Sequence, residues 1–111
     1  MNVMTKVTIY KNDLNACVGF RAYGHAGYDE EEQDIVCAAI SVLTINTMNA
    51  IEVYTEETFY TTSNEEEGYI EYRVSDRPSK EATLLLNAMI LGLKDMAKNY
   101  ENYIDLKFEE V

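Results

Sequence analysis

The sequence predicts an α+β fold in which a mixed or antiparallel sheet carries two helices on one face. Short runs rich in β-branched and aromatic residues occur in pairs around turn residues, as in hairpins. Two longer runs have the spacing or the apolar content of helices and separate the strand pairs. The resulting order, ββαββαβ, places runs of strands between helices, which is typical of this fold class. A chain of 111 residues suits one domain, so we expect residues 1–111 to form a single unit.

The strand predictions follow the pairs of apolar runs along the chain. The first hairpin is predicted at Val3–Tyr10 and Asn15–Gly24, because Asn12 and Asp13 supply a turn between two runs with alternating character. A second hairpin is predicted at 58–63 and 68–74, with acidic residues at its tip. The last strand is predicted at 104–108.

The helix predictions depend on capping residues and spacing. Asp34 precedes an apolar run, so we expect it to cap a helix that continues to about Tyr54 and is buried on most sides in its first half. A second helix is expected after Pro78, capped by Asp76 or Ser79, since apolar residues recur there at steps of three and four.

The charge of the chain restricts its partners. Nine Lys and Arg residues against 20 Asp and Glu residues give a formal net charge of −11. Such a chain repels phosphate backbones and anionic membranes, so we expect no direct nucleic-acid or membrane binding, while a basic protein partner is favoured. No run of 18 apolar residues and no leader-like N-terminus is visible, so we expect a cytoplasmic protein without a membrane span.

The chain contains two cysteines, Cys17 and Cys37, and one histidine, His25. In a cytoplasmic protein free thiols are favoured over a disulfide. One histidine and two separated cysteines make a poor metal-ligand set, and we expect neither a metal nor a cofactor.

Cys37 is the candidate nucleophile. With Asp34 as the cap, Cys37 would lie in the first helical turn, where the helix dipole stabilises a thiolate and free amides could bind an oxyanion. His25 ends a strand at the mouth of the loop that leads back to this helix, so thiol and imidazole could meet as a Cys–His pair. Asp34 could also orient the imidazole. Ser41, one turn beyond Cys37, could line a pocket or bond to the Cys37 carbonyl.

Two other interpretations stay open. Cys37 lies in an apolar run and could be a core residue of a non-catalytic interaction module that binds a partner through its acidic surface. A thiol redox sensor would need a reversible Cys17–Cys37 bond, and a mid-strand Cys17, which we interpret as structural, makes that geometry unfavourable.

The segments Gly24-His25-Ala26 and Asp34-Ile35-Val36-Cys37-Ala38-Ala39-Ile40-Ser41 resemble the ribosomal-processing cysteine proteases of the Prp family, and the similarity extends through essentially the whole chain. The resemblance implies a homodimeric endopeptidase that removes the N-terminal extension of a basic large-subunit ribosomal protein (number twenty-seven of its series). It implies cleavage after a motif of the Phe-Phe-Ala kind, with His25 and Cys37 as the catalytic pair and Asp34 and Ser41 beside them.

The resemblance also implies a mobile substrate loop between His25 and the helix. In this chain the loop comprises Ala26, Gly27, Tyr28, Asp29, Glu30, Glu31, Glu32 and Gln33. Glu32 stands where the family usually has Gly, and it reduces the backbone freedom that such a loop uses.

Overall fold

The computed structural model describes residues 4–24, 31–64, 66 and 68–111, and of residues 31–33 it describes the backbone. Its elements follow the predicted order: β1 (Thr5–Lys11), β2 (Cys17–Tyr23), α1 (Glu31–Tyr54), β3 (Phe59–Asn64), β4 (Tyr69–Val74), α2 (Lys80–Asn99) and β5 (Ile104–Glu110). The predicted fold class is therefore confirmed. The observed strand ends differ by at most two residues from those predicted, the usual uncertainty of element ends.

The five strands form one sheet in the order β3-β4-β2-β1-β5. The two predicted hairpins pair antiparallel, and β2 also pairs antiparallel with β4. The last strand pairs parallel with β1, from Thr5↔Ile104 to Lys11↔Glu110. This one parallel pair makes the sheet mixed and places β1 and β2 inside it, with a neighbouring strand on each side.

Strand alternation divides the sheet into two faces, of which one packs against both helices. Val7, Ile9, Phe20 and Tyr72 point towards the helices and belong to one core cluster with Leu86 of α2. The helices contact each other, and a side chain at Gly92 of α2 would collide with Leu43 of α1. The sheet and α2 therefore fix the position of α1, the helix that carries Cys37.

The two helices start differently from one another. Ser79 caps α2, since its hydroxyl accepts a hydrogen bond from the Ala82 N–H at 3.1 Å, which confirms one of the two predicted caps. In contrast, α1 begins at Glu31, three residues before the predicted cap Asp34. Glu and Gln are good helix formers, and acidic residues are favourable in a first turn, so the segment 31–33 extends the helix.

The prediction that the first half of α1 is buried on most sides is wrong. Val36, Cys37 and Ile40 are buried, whereas Ile35 and Val42 are exposed. One face of the helix therefore carries apolar side chains that this chain alone does not cover.

The stretch Asp34–Tyr54 is long and apolar enough to cross a membrane when judged by length and composition. This corrects the expectation that no such segment exists, because scattered Thr, Ser and Asn residues hid the apolar content of the run. The evidence for a span is weak, since a core helix passes the same test, and α1 packs on the sheet through Val36, Ile40 and Ile51.

Tyr72 lies at the centre of the core, and its ring contacts Phe20 and Phe59 at centroid distances of 5.6 and 5.4 Å. Its buried hydroxyl has no hydrogen-bond partner among the residues described. Burial, with smaller contributions from the charges of Glu57 and Glu52, raises the pKa of Tyr72 to about 12.

We expect Tyr72→Phe to raise the free energy of unfolding by about 1 kcal/mol, because it removes a buried hydroxyl whose desolvation is not compensated. The raised pKa means that the unfolded chain ionises Tyr72 above about pH 10 while the folded chain does not. The wild type therefore loses stability between pH 10 and about 12, and the variant loses less. Urea unfolding of both proteins across this pH range measures the difference. Destabilisation of the variant at pH 7 would contradict this account of the hydroxyl.

Candidate active site

Cys37 lies on the sheet-facing side of α1 and is 7% exposed. Its Sγ is 3.5 Å from the hydroxyl oxygen of Thr5, the first residue of β1, and either group can donate the hydrogen bond. When the sulfur is a thiolate, only the hydroxyl can donate. The contact holds the sulfur beside the first residue of β1, whichever group donates.

Thr5 is held firmly by the sheet. It is fully buried, it pairs with Ile104 of β5, and its backbone N–H donates to the Tyr103 carbonyl at 2.9 Å. It shares the helix-facing side of β1 with Val7 and Ile9, so packing of the core also fixes the direction of its side chain. Thr5 is thus a fixed hydroxyl within hydrogen-bond distance of a thiol that α1 carries.

The early start of α1 changes the predicted environment of Cys37. Cys37 is the seventh residue of the helix and lies in its second turn, not in the first. The dipole effect of a helix falls off within its first turn, so the position of Cys37 in the described helix is less favourable than predicted. Whether backbone amides near Cys37 bind an oxyanion stays a prediction.

Asp34 is an exposed residue inside α1, and the prediction that it caps the helix is wrong. His25 and the loop residues Ala26–Glu30 lie outside the described residues. The backbone of Glu31, Glu32 and Gln33 is helical, so the predicted loop ends at least three residues earlier than expected. Whether His25 contacts Cys37 stays a prediction.

Ser41 lies one turn beyond Cys37, is half-buried and lines a cavity of about 340 Å³. The cavity lies between α1 and the strands β2, β3 and β4. Its walls are mainly apolar, and the lining residues besides Ser41 are Ala22, Ile40, Thr44, Ile45, Ser63, Asn64, Tyr69 and Ile70. A cavity of this kind next to a candidate nucleophile is suited to an apolar side chain of a substrate.

Cys17 is structural, as predicted. It is fully buried, its Sγ donates to the Gly19 carbonyl at 3.4 Å, and burial raises the pKa of its thiol. Both cysteines are free thiols.

Cys17 and Cys37 also lie at opposite ends of β1. Cys37 contacts Thr5 at one end, and Cys17 pairs with Lys11 at the other, about 20 Å away at the rise of a strand. A disulfide requires Cα atoms within about 7 Å, so the redox-sensor interpretation is excluded.

Sequence reasoning missed Thr5 and most of the cavity. The sequence did offer one indication of Thr5. It alternates in step with Val7 and Ile9, so its side chain lies on the same face of the strand and its hydroxyl points into the core. The cavity residues come from four elements, and only the order of strands in the sheet brings them together.

Among the residues that the structure describes, no group of three His, Cys, Asp or Glu side chains could hold a metal ion.

A mixed sheet with two helices on one face, and a helical thiol beside an apolar cavity, define an α+β protein with the site of a thiol hydrolase. The family described as cysteine protease Prp matches residues 4–105. The chain therefore belongs to the Prp family of cysteine proteases.

Curated relatives and solved structures agree with this assignment. The ribosomal processing cysteine protease Prp of Staphylococcus aureus is 30% identical over 106 residues, which are 96% of this chain and all of the relative. The protein of the same name from Bacillus subtilis is 26% identical over 103 residues, 89% of this chain and 92% of the relative.

The crystal structure of the S. aureus Prp protease in complex with a substrate peptide superimposes with a TM-score of 0.89 at 29% identity, covering 96% of this chain and all of that one. A structure from Streptococcus mutans gives a TM-score of 0.87 at 27% identity, covering 98% of this chain and 97% of that one.

We expect iodoacetamide near pH 6 to modify Cys37 at least about 10-fold faster than Cys17, because Cys17 is fully buried and its raised pKa keeps it a thiol. Mass spectrometry of tryptic peptides measures both rates. Cys17→Ala should keep the fast phase, and Cys37→Ala should remove it. Equal, slow modification of both thiols would show that Cys37 is an inert core residue.

We expect Thr5→Val to lower kcat for peptide cleavage by about 10-fold at unchanged KM, the effect of losing one hydrogen bond to a charged group. Thr5→Ser restores the hydroxyl and should restore most of the rate. Thr47→Val is the matched control, since the Thr47 hydroxyl donates to the Leu43 carbonyl in the same helix, away from Cys37. Equal kcat values for Thr5→Val and the control would show that the Thr5 hydroxyl does not contribute to cleavage.

Proposed function

We propose that this protein is a cysteine endopeptidase that removes the N-terminal extension of a basic large-subunit ribosomal protein (number twenty-seven of its series). Cleavage follows a motif of the Phe-Phe-Ala kind and serves ribosome maturation. The observation that carries the proposal is the buried thiol of Cys37, which contacts the Thr5 hydroxyl and lies one helical turn before Ser41, a residue that lines an apolar cavity. The relatives are described as ribosomal processing proteases, and this description supplies the substrate class.

The proposed reaction uses two residues. Sγ of Cys37 bonds to the carbonyl carbon of the alanine that ends the motif, while His25 accepts the thiol proton. The peptide C–N bond breaks, and His25 returns the proton to the leaving amine. Water then hydrolyses the thioester, which releases the extension and the free thiol. Thr5 acts through Cys37, since its hydroxyl contacts the sulfur and fixes its position.

A second structure of the S. aureus Prp protease contains a covalently linked product peptide, and it superimposes on this chain with a TM-score of 0.85 at 30% identity, covering 96% of this chain and all of that one. A covalent enzyme–product link in that relative is what nucleophilic catalysis generates. It supports the same class of chemistry for this chain.

The cavity beside Ser41 supports the apolar specificity. It begins one helical turn beyond Cys37, and the side chains of Ile40, Ile45 and Ile70 supply apolar walls. A phenylalanine that precedes the cleaved bond can enter such a cavity while the bond stays at Cys37. Ser41 keeps the wall next to the nucleophile small, so it supports the cavity and takes no part in the chemistry.

Charge and compartment complete the proposal. A net charge of −11 attracts a basic ribosomal protein and speeds its encounter with the enzyme. It opposes direct binding to nucleic acid and to anionic membranes. The substrate and the free thiols are consistent with a cytoplasmic protein, which uses neither a cofactor nor a metal.

The test is cleavage of a ribosomal-protein fragment that carries the Phe-Phe-Ala motif, followed by intact-mass analysis. We expect one cut after alanine, loss of all cleavage in Cys37→Ala, and a fall of at least about 100-fold in His25→Ala, the size of a general-base contribution. Cys17→Ala is the matched control and should cleave normally. A fragment with both Phe residues replaced by Ala should be cut poorly.

The burial of Cys37 favours one other function, a non-catalytic module that binds a ribosome-assembly partner and uses Cys37 as a core residue. The same assay separates the two. Binding of the fragment without any cut, or cleavage that persists in Cys37→Ala, would reject the proposed peptidase mechanism.

A homodimer is part of the proposal, and it is supported by apolar side chains that the single chain leaves exposed. Val42 of α1 is 69% exposed, and Leu84 and Leu91 of α2 are 70% and 73% exposed. These residues lie on the two helices that cover one face of the sheet. A second copy of the chain would bury them, which compensates for the limited core of a small domain.

We expect the double variant Val42→Asp and Leu91→Asp to run as a monomer of 12.7 kDa, while the wild type runs at twice that mass. Two buried carboxylates at one interface are costly to desolvate. Multi-angle light scattering measures the mass. Asn99→Asp, an exposed residue at the end of α2, is the control and should stay dimeric. An unchanged mass in the double variant would place the interface elsewhere.

A further inference from the structure

The face of the sheet that neither α1 nor α2 covers has a composition unlike the rest of the chain. Cross-strand pairs show which residues share it: Lys6 lies between Tyr23 and Asp105, and Thr8 lies between Arg21 and Lys107. The pair Tyr23↔Tyr69 extends the same face onto β4. We call this surface the open face.

The open face contains a cavity of about 410 Å³. Its lining side chains come from β1, β2, β4 and β5 and include Thr8 together with Lys6, Arg21, Tyr23, Tyr69, Asp105 and Lys107. The volume lies within the range of small-molecule sites. Tyr69 borders both this cavity and the one beside Ser41, and all other lining residues of the two cavities differ.

Positive charge is concentrated in this cavity. Three of the nine basic residues of the chain line it, against one of the 20 acidic residues. Lys107 Nζ is 3.6 Å from Asp105 Oδ2. Lys6 and Arg21 form no ion pair with any other residue that the structure describes. Glu71, which pairs opposite Arg21, accepts the Tyr10 hydroxyl at 2.7 Å. Two neighbouring cations without ion pairs in so acidic a chain indicate a site for an anion.

Two aromatic rings flank the same cavity. Tyr23 and Tyr69 meet edge to face with their centroids 6.2 Å apart, and Tyr23 is 45% exposed. An exposed ring face next to cations suits a ligand that carries both a flat aromatic group and a phosphate. Thr8 and Asp105 add a hydroxyl and a carboxylate that can bind the hydroxyl groups of a sugar.

The net negative charge of the chain favours a small anionic ligand over a long nucleic-acid strand. A nucleic-acid strand would extend past the cavity, and the net charge of −11 of the chain repels such a strand. A single nucleotide is short enough that its phosphates contact only the basic residues of the cavity. We propose that the cavity of the open face binds a nucleoside phosphate, with the phosphates at Lys6, Arg21 and Lys107 and the base against Tyr23 and Tyr69. The proposal is independent of the peptidase activity.

The test is isothermal titration of the full chain with ADP. We expect saturable binding of one ADP per chain, with inorganic phosphate and adenosine each binding at least about 10-fold more weakly, because each supplies half of the contacts. Arg21→Gln should weaken ADP binding at least about 10-fold, the effect of losing one charge-assisted contact. Arg77→Gln removes the same charge from an exposed residue that pairs with Asp13, and it should bind ADP like the wild type.

Three results would overturn the proposal. The first is the absence of saturable binding at about 10 mM ADP, which corresponds to a free energy of binding weaker than about −3 kcal/mol. The second is an equal loss of affinity in Arg21→Gln and Arg77→Gln, which would show a general charge effect. The third is a ten-nucleotide RNA that binds far more tightly than ADP, which would make the open face a nucleic-acid surface. Circular dichroism of each variant confirms that the fold is retained.

Discussion

The site depends on the packing of one helix against one strand. Val36 and Ile40 of α1 belong to the core cluster that also contains Val7 and Ile9 of β1. This packing fixes the rotation of α1, and the rotation places the sulfur of Cys37 at the Thr5 hydroxyl. A rotation of about 100°, equal to one helical residue, would turn Cys37 away from the sheet and exchange it for an exposed neighbour such as Ala38.

Cys37 is positioned by tertiary structure. It lies in the second turn of the described helix, where the dipole effect is small. The hydroxyl that contacts its sulfur belongs to Thr5 in a separate element, held by its pairing with β5. The sheet thus has two roles. One face holds Thr5 against the thiol of Cys37, and the other face carries Lys6, Arg21 and Lys107 in a chain that is otherwise strongly acidic.

Local patterns predicted the fold well, because hairpins and amphipathic helices depend on neighbouring residues. The order of elements, the cap at Ser79 and the structural role of Cys17 were all confirmed. The predicted start of α1 was wrong because the sequence of Glu31, Glu32 and Gln33 is compatible with both a loop and a first helical turn. Thr5 and the cavity beside Ser41 were missed, since both depend on contacts between residues that lie far apart in the chain. The whole first half of α1 was assigned to the core because an apolar run does not reveal which of its side chains the sheet reaches, and Ile35 and Val42 lie on the exposed side.

The most direct test of the account is to trap the intermediate on the nucleophile. A substrate peptide that ends in a slow-leaving amine should be mixed with the Cys17→Ala variant, quenched in acid within one turnover, digested and mapped by mass spectrometry. The account predicts an acyl group, equal in mass to the extension up to its alanine, on the peptide that contains Cys37, and a lower yield of it in Thr5→Val. Cleavage that proceeds without any acyl group on Cys37 would contradict the central claim that this thiol is the nucleophile.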